Sequence, residues 1–502
     1  MTHIFFFNNA SRAAGYGIGT YVRQLSLGLT EFSKFQLSFV DMYADVEEFL
    51  CHRDDKGNLH YKIPSPPSGR EDETYCRVVF YFLARKLRTL DIEKMAFFFN
   101  YFQHYALARF LKGFFMKSRI ILAVHYLGWC FELKGNHSLF RKTMRDRKKT
   151  ESHDTRKLLE SFEKERSFLY LSDEVLVLSK WTMQVLVEDY GVSADKLHLV
   201  YNGLGTDCVL RKRHPQESVR DILFVGRLDE IKGLAFLLKA FARIADKHRD
   251  TRLIVAGDGD FQTYLSASRG FPGRVVFLGK VEPDMVNHLY EEAYMGVLPS
   301  FHEQCSYTAI EMMRYGLPFV GTDSTGLAEM LDATPDMLVR ISEDGFDEES
   351  FVEQLASKLE FLLSRDACYL DHASKALRQR YMRHHTLSLM TEKVVEMLGD
   401  TFARQPCLLS KDFLACIDDR MRLLVAQRSD IDMGQEGLGG ICAYLWWRQR
   451  NGCLASGEEL LETSLRWLAS EAHAQDIPDD DQPLPSEEEI LRNALKIYNS
   501  KI

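Results

Sequence analysis

A repeated alternation constrains this chain most. Over its first four hundred residues a short apolar run is followed by a turn and then by a stretch with apolar residues at helical spacing. IFFFNN (4–9) leads through AAGYGIG into TYVRQLSLGLTEF. QLSFVDMY, then MAFFFNY with HYALARFLKGFF, RIILAVHYLG, and DEVLVLS with KWTMQVLVEDYG continue the series. Apolar runs of strand length separated by helices predict a parallel sheet covered on both faces, because such strands must be apolar on both sides. Gly191 closes the last of these helices, as a left-handed residue after a helix does.

The pattern restarts after the polar connector KRHPQESVRD (212–221) with DILFVGRL, GLAFLLKAFARIADKH, RLIVAGDG, VVFLGKV, DMVNHLYEEA, MGVLPS, SYTAIEMMRYG and LPFVGTD. A helical stretch from Glu349 to about Gly399 completes it. With 502 residues, and about 150 per domain, the length agrees with three parts. The expected division is 1–212, 213–400 and 401–502. The first two are Rossmann-like domains facing a cleft at the C-terminal ends of their strands, where such sheets bind ligands. The third breaks the alternation with helical patterns (KDFLACIDDRMRLLVAQ, GEELLETSLRWLASEA), so the fold class is α/β with an all-helical extension. Between Glu471 and Glu489 lie eight acids, three prolines and no Lys or Arg, the composition of a solvated linker. Ser486 and Glu489 then form a capping box for a final helix, ILRNALKIY.

Composition excludes several classes. The net charge of −9 gives no drive toward nucleic acid, and no run approaches the 18 apolar residues of a membrane span. Ten cysteines without a CxxC pair read as reduced thiols, and the N-terminus lacks the basic and apolar regions of a signal peptide. A cytoplasmic protein is expected, with peripheral contact at the inner membrane face as the further option. The basic stretch FRKTMRDRKK (140–149) is the candidate surface for such contact, or for the phosphates of an acidic acceptor.

Four segments carry the candidate chemistry. In LFVGRLDEIKG, Arg227 and Lys232 flank the turn into a helix, an arrangement able to clamp a diphosphate, and Gly226 beside them is a candidate donor-binding residue. In HEQCSYTAIEMM, Glu303 and Glu311 flank an expected helix start at Cys305-Ser306 and are eight residues apart, roughly 12 Å if the spacer is helical. Carboxylates accept hydrogen bonds from vicinal hydroxyls, while the amides near Ser306, Tyr307 and Thr308 suit phosphates. His125 ends the run RIILAVHY, at a strand's C-terminal end, and Gly15, Gly17 and Gly19 permit a ligand's close approach. Each signal is weak alone, since surface Arg, Lys and Glu are common and a lone His is usually structural.

In this order the segments AAGYGIGTYVRQL, AVHY, SKWTMQVLVEDYGVSADKLHLVYNGL, FVGRLDEIKGLAFLLKAF, IVAGDG, VVFLGKV and EQCSYTAIEMMRYGLPFVGT resemble retaining GT-B glycosyltransferases of glycosyltransferase family 4. The resemblance spans about residues 1–400 and is strongest from 222 to 330. It implies that Arg227 and Lys232 hold the donor diphosphate, Glu311 the ribose and Glu303 the transferred sugar. Gly17 and Gly19 would let their loop approach the phosphates, and His125 would contact the sugar near the reacting carbon. The implied reaction is metal-independent transfer of a hexosyl group from a nucleotide sugar, with no other cofactor, to a glycan, a lipid-linked saccharide or a peptide. The Asp258-Gly259-Asp260 triplet looks like a metal-binding motif but sits in the family's structural turn. Two departures stand out: AAGYGIG replaces a plain Gly-Gly pair, and Gln304-Cys305-Ser306-Tyr307 replaces a Gly-Phe-Gly-type turn; both are expected to bear on sugar or acceptor choice. DMGQEGLGGICAYLWWRQRNG in the extension resembles a helix turn of lanthionine synthetase C-like domains, without their metal ligands, and is expected to dock or stabilise. A non-catalytic sugar-nucleotide-binding scaffold subunit is the alternative, and a glucan phosphorylase ranks third, for want of a pyridoxal phosphate site.

Overall fold

The computed structural model describes residues 1–10, 17–66, 72–88, 90, 94–146, 153–208, 219–341, 346–403, 413–414, 417–421, 424, 441, 443–445, 447–448 and 487–499. Two sheets organise them. The first contains β1 (Thr2–Asn9), β2 (Phe35–Ala44), β3 (Leu50–Arg53), β4 (Leu59–Pro64), β5 (Lys94–Phe99), β6 (Arg119–Val124), β7 (Glu174–Val177) and β8 (Leu197–Leu199), in the order β3-β4-β2-β1-β5-β6-β7-β8. The second contains β9 (Arg220–Val225), β10 (Thr251–Ala256), β11 (Val275–Gly279), β12 (Met295–Leu298), β13 (Phe319–Thr322) and β14 (Leu338–Val339), in the order β11-β10-β9-β12-β13-β14. Every pairing is parallel except β3 with β4. This is the GT-B architecture expected from the sequence, with a helical C-terminal region.

The apolar runs are buried on both sides because successive side chains enter different cores. Phe5, Phe7, Phe97, Phe99, Ile120 and Leu122 join one core, whereas Ile4, Phe6, Phe98, Ile121 and Leu176 join another. That second core also takes in Leu223, Leu298 and Phe319 of the other sheet, Ile310 of helix Tyr307–Tyr315, and Met390, Val394 and Met397 of helix Leu387–Ala403, so it joins the two halves. A third core covers the far face of the second sheet through Ile222, Phe224, Leu253, Val255 and Val297.

The structure changes three readings. The helical stretch expected over 349–399 is three helices, Glu348–Leu363, Ala367–His384 and Leu387–Ala403. Asp366 caps the second, and the chain then turns at His385–Thr386, where Leu204 N–H donates to His385 O at 3.0 Å. Helix Leu387–Ala403 returns to the first sheet and crosses helix Gly17–Leu29 so closely that a Cβ on Gly28 would stand 2.0 Å from Thr391 Oγ1. Strands β3 and β4 were not anticipated, because β3 is an exposed edge strand and β4 alternates buried with half-buried residues.

The extension also packs inward. Ile490, Leu491, Ala494, Leu495 and Ile497 of helix Glu487–Asn499, with Phe413, Leu414, Ile417, Met421 and Tyr444, belong to the first-sheet core. Buried Arg448 donates to Asp418 from Nε (3.0 Å) and Nη2 (2.5 Å), and Tyr444 OH donates to the same carboxylate at 2.7 Å. The expected acidic linker up to 486, Ser486 of the capping box and the Gly-rich turn at 434–440 lie outside the described residues, as do Gly15 and residues 147–149.

Candidate functional site

On the C-terminal wall of the cleft, loops after the strands of the second sheet are stitched to one another. After β9, Gly226 N–H donates to Ala256 O (3.0 Å) and Leu228 N–H to Asp258 O (2.9 Å). The loops approach so closely that a Cβ on Gly257 would stand 1.7 Å from Gly226 O, and one on Gly259 would stand 2.6 Å from Leu228 Cβ. The Asp258–Asp260 turn therefore buttresses the Arg227 loop, and Asp260 Oδ1 accepts from Gln262 N–H at 3.0 Å. Arg227, half-exposed, pairs with Asp229 at 2.9 Å.

A single 3-10 turn, Glu230–Lys232, ends at Gly233 with φ of 72°, a left-handed conformation that glycine adopts without strain. A Cβ there would meet Pro299 O at 2.1 Å. This contact, with Phe301 N–H donating to Ile231 O (2.8 Å), lays the turn along residues 299–303. Lys232 Nζ then donates to Glu303 Oε1 at 2.6 Å, with only 10% of the Glu303 side chain exposed. Two groups seventy-one positions apart become one ion pair.

Glu303 is held through its peptide as well. Its N–H donates to Thr325 Oγ1 (3.0 Å), and its carbonyl accepts from Gly326 N–H (2.7 Å) and the Thr325 hydroxyl (2.5 Å). The helix starts at Tyr307 with Ser306 as its N-cap, Ser306 Oγ accepting from Ala309 N–H at 3.5 Å, in line with the start expected at Cys305-Ser306, so the spacer from Glu303 to Glu311 is helical only in its second half. The first-turn amides, Thr308 among them, have no acceptor within the helix, the arrangement that favours anions at a helix N-terminus. Glu311 sits one turn further on, where Tyr290 OH donates to its Oε2 at 2.7 Å. Burial raises the Glu311 pKa above the usual carboxylate value, and the Tyr290 hydrogen bond opposes that shift.

The N-terminal wall is neutral by comparison. Gly17 and Gly19 lie in the first turn of helix Gly17–Leu29, not in a loop before it as expected. Tyr21, on the same helix, packs edge-on against His125 with ring centres 4.6 Å apart. The Nε2–H of His125 donates to Asn100 Oδ1 at 3.0 Å, and the Asn100 amide donates to Phe7 O (3.3 Å) and Asn8 Oδ1 (3.2 Å). Three strand ends thus fix one imidazole. Burial pushes the His125 pKa down to about 3, so the ring is neutral at pH 7 and Nδ1 is its acceptor nitrogen.

The walls meet around a cavity of about 320 Å³ lined by Phe131 and Lys134 on one side and Arg227, Asp229, Glu230 and Ile231 on the other. Lys134 has φ of 48° and Gly135 has φ of 73°. A Cβ on Gly135 would meet Phe301 O at 2.5 Å, so this turn lies directly against the loop that bears Glu303. His302, buried and held neutral with its pKa down to about 4, meets the Phe131 ring edge-on at 5.6 Å. Sequence reasoning missed Asn100, Tyr21, Phe131, His302 and Thr325. Asn100 alone had a signal, a polar residue directly after the run MAFFF at the same sheet edge as His125. The basic stretch 140–149 appears in part as helix His137–Asp146, where Arg141 is committed to Asp189 (2.7 Å) and Glu188 (2.6 Å).

These observations define a two-domain GT-B protein whose charged groups gather on its C-terminal wall. Residues 219–364, which form that wall, match the family model described as Glycosyl transferases group 1. An uncharacterized glycosyltransferase of Methanocaldococcus jannaschii is 33% identical over 177 residues, covering 32% of this chain and 45% of the relative. The 2-deoxystreptamine glucosyltransferase of Streptomyces kanamyceticus is 29% identical over 189 residues, covering 35% and 49%. The chain thus spans about half the length of these curated relatives. Among solved structures, sucrose-phosphate synthase from Thermosynechococcus elongatus superposes with a TM-score of 0.63 at 16% identity, over 80% of this chain and all of the other, a likeness of fold.

Proposed function

We propose that this protein is a retaining glycosyltransferase that moves a hexosyl group from a nucleotide-diphosphate sugar to a glycan, lipid-linked saccharide or peptide acceptor. The observation that carries this reading is the Lys232–Glu303 pair, whose lysine follows Ile231 of the cavity lining, a lining that also includes Arg227. The chemistry needs little more. Breaking the bond between the anomeric carbon and the β-phosphate oxygen leaves a nucleoside diphosphate. Arg227, Lys232 and the amides after Ser306 stabilise its charge without reorganising, the largest contribution a site of this kind makes. These cations take the part a divalent metal plays elsewhere, so the reaction proceeds without one.

Glu303 orients the sugar hydroxyls and holds Lys232, and Glu311 receives the ribose. Neutral His125 lines the sugar's reacting face. The acceptor hydroxyl attacks on the face from which the diphosphate departs, its proton passes to the leaving phosphate oxygen, and configuration is retained. Among the described residues no helix is long and apolar enough to cross a membrane, and the proposed setting is cytoplasmic.

The test is transfer and donor hydrolysis with UDP-, ADP- and GDP-hexoses, with each nucleotide sugar first screened for thermal stabilisation. A ligand at a hundred times its Kd adds about 2.7 kcal/mol. Turnover that survives unchanged in both Glu303→Ala and Lys232→Ala would falsify the assignment. Tight nucleotide binding without turnover in the wild type is the outcome that favours the scaffold reading, which no geometric observation favours now.

A further inference from the structure

We infer that Gln304 is a positioning residue that makes the setting of Glu303 depend on engagement of the N-terminal domain. The inference rests on the transferase reading above and deepens it. Gln304 is buried, and its Oε1 accepts the hydroxyl hydrogen of Thr182 and lies 3.4 Å from Ser179 Oγ. Both partners belong to the N-cap of helix Lys180–Glu188, where Ser179 Oγ accepts from Thr182 N–H at 3.1 Å. This departure from a glycine-type turn therefore reaches across the domain boundary.

The neighbouring contacts make that reach consequential. A Cβ on Gly326 would stand 1.8 Å from Gln304 O and 2.9 Å from Ser179 Cβ, so three segments meet with no room to spare. Asn202 Nδ2 donates to Cys305 O at 2.6 Å, a second tie from the N-terminal domain to the same loop. Glu329, on the neighbouring helix Leu327–Met330, adds a third tie between the domains, its Oε1 accepting from Lys180 N–H at 3.0 Å. Glu303 and Gln304 are adjacent, so the side chain that meets Lys232 and the one that meets Thr182 share a peptide plane. A shift of about 1 Å at a positioning contact is enough to cost transfer rate heavily.

Stability does not account for a glutamine here. Its Nε2 is buried without a hydrogen-bond partner among the described residues, and an unpaired buried donor is costly where an apolar side chain of the same length is not. Gln304→Met should therefore fold as well as the wild type and fail only in placing Glu303.

The experiment is a cycle of Gln304→Met, Thr182→Val and the double variant, read by kcat, donor KM and melting temperature. Each single variant is expected to lower kcat about 10-fold or more, with donor KM within about 2-fold and melting temperature unchanged or higher. The double variant should match the singles, because residues acting through one contact are not additive. Gln304→Glu, which keeps an acceptor for the Thr182 hydroxyl, should recover part of the rate. Wild-type kcat in Gln304→Met, or losses that multiply in the double variant, would overturn the inference. If the wild type turns over no nucleotide sugar, the transferase reading fails, and amide hydrogen exchange then decides the coupling by itself. Faster exchange at both 179–184 and 303–306 in each single variant upholds the coupling; a change confined to the mutated segment refutes it.

Discussion

The two walls of the cleft hold their working groups by opposite means. On the C-terminal wall the charges are paired locally: Arg227 with Asp229, Lys232 with Glu303, and Glu311 with the Tyr290 hydroxyl. On the N-terminal wall Lys134 is the one charged residue among the described residues of the cavity lining, whereas His125 is neutral and fixed by Asn100, Tyr21 packs against it, and Phe131 presents a ring. A wall of paired ions is set before substrate arrives. A neutral wall contributes shape and the exclusion of water, and its accuracy depends on packing throughout the domain. Removing a paired charge should accordingly read out as lost rate on the first wall and disturbing the buried groups as altered stability on the second, while crowding a close backbone contact costs stability on either.

The largest expected effect tests the charged wall. Lys232→Ala leaves the Glu303 carboxylate without its ion pair and, on the proposed mechanism, removes a cation from the departing diphosphate. A rate loss of about 10²–10³-fold is expected, the range for removing one preorganised charge-stabilising group. Glu303→Ala should fall in the same range, and their effects should overlap in the double variant, since the two form one pair. Steady-state transfer kinetics check this, and a loss under about 5-fold for Lys232→Ala would place the cation outside the reaction.

The next effect tests the neutral wall through pH. Glu165 lies beneath the turn that carries Phe131, accepting from Gly128 N–H at 2.7 Å and from Tyr190 OH at 2.5 Å. Burial raises its pKa from 4.5 to about 7 despite those hydrogen bonds. Between those values the folded state binds more protons than the unfolded one, so this contribution is complete below pH 4.5 and is lost as pH rises through about 7. The difference is about 3 kcal/mol. Glu165→Gln should therefore gain stability relative to the wild type between pH 5 and pH 8, measured by denaturant unfolding across that interval. His125 and His302 titrate in the opposite sense, their contributions lost as pH falls below 6.5 toward 3 and 4. They are common to both proteins, so the difference curve isolates Glu165.

The same contrast explains what the sequence disclosed. The alternation of apolar runs was enough for both parallel sheets, because strands buried on two faces must be apolar throughout. VGRLDEIKG and the Glu303–Glu311 spacing stood out because each is a short local motif, although the pairing of Lys232 with Glu303 joins segments seventy-one positions apart. Illegible were the contacts that need the whole fold: Asn100 under His125, Gln304 against Thr182, and the final helix against the first-sheet core. None of these pairs is close in sequence, and no periodicity joins them. Gly17 and Gly19 were read as glycines of a turn between strand and helix, and the structure places them in the helix's first turn instead.

Glycines sharpen the comparison at intermediate size. Gly326→Ala on the charged wall must displace Gln304 O, which a Cβ would approach to 1.8 Å, and the backbone there cannot yield without moving Glu303. A stability loss of about 2 kcal/mol or more is expected. Gly17→Ala on the other wall meets nothing within 4 Å and lies inside a helix, so it should be neutral or stabilising by up to about 1 kcal/mol. Its transfer rate should nonetheless fall if the helix start approaches the donor phosphates. Equal melting temperatures for the two variants would erase the distinction between the walls.

The smallest effect concerns the basic helix His137–Asp146, at the back of the neutral wall. Arg141 is forked between Asp189 and Glu188 and is partly exposed, and such pairs contribute about 0–1 kcal/mol in water. Arg141→Ala should thus lower stability by no more than that, and less in high salt, as screening weakens exposed pairs. The pairing also has a consequence for membrane contact. An arginine already neutralised by two carboxylates offers little charge to an anionic surface, whereas Lys142 and Arg145 on the same helix are exposed. Cosedimentation with vesicles rich in anionic lipid separates the cases. If the helix meets a membrane, Lys142→Glu with Arg145→Glu should reduce binding strongly and Arg141→Ala hardly at all. Equal losses in both proteins would mean that Arg141 leaves its carboxylates on binding, and no vesicle binding by the wild type would assign the helix to the fold alone.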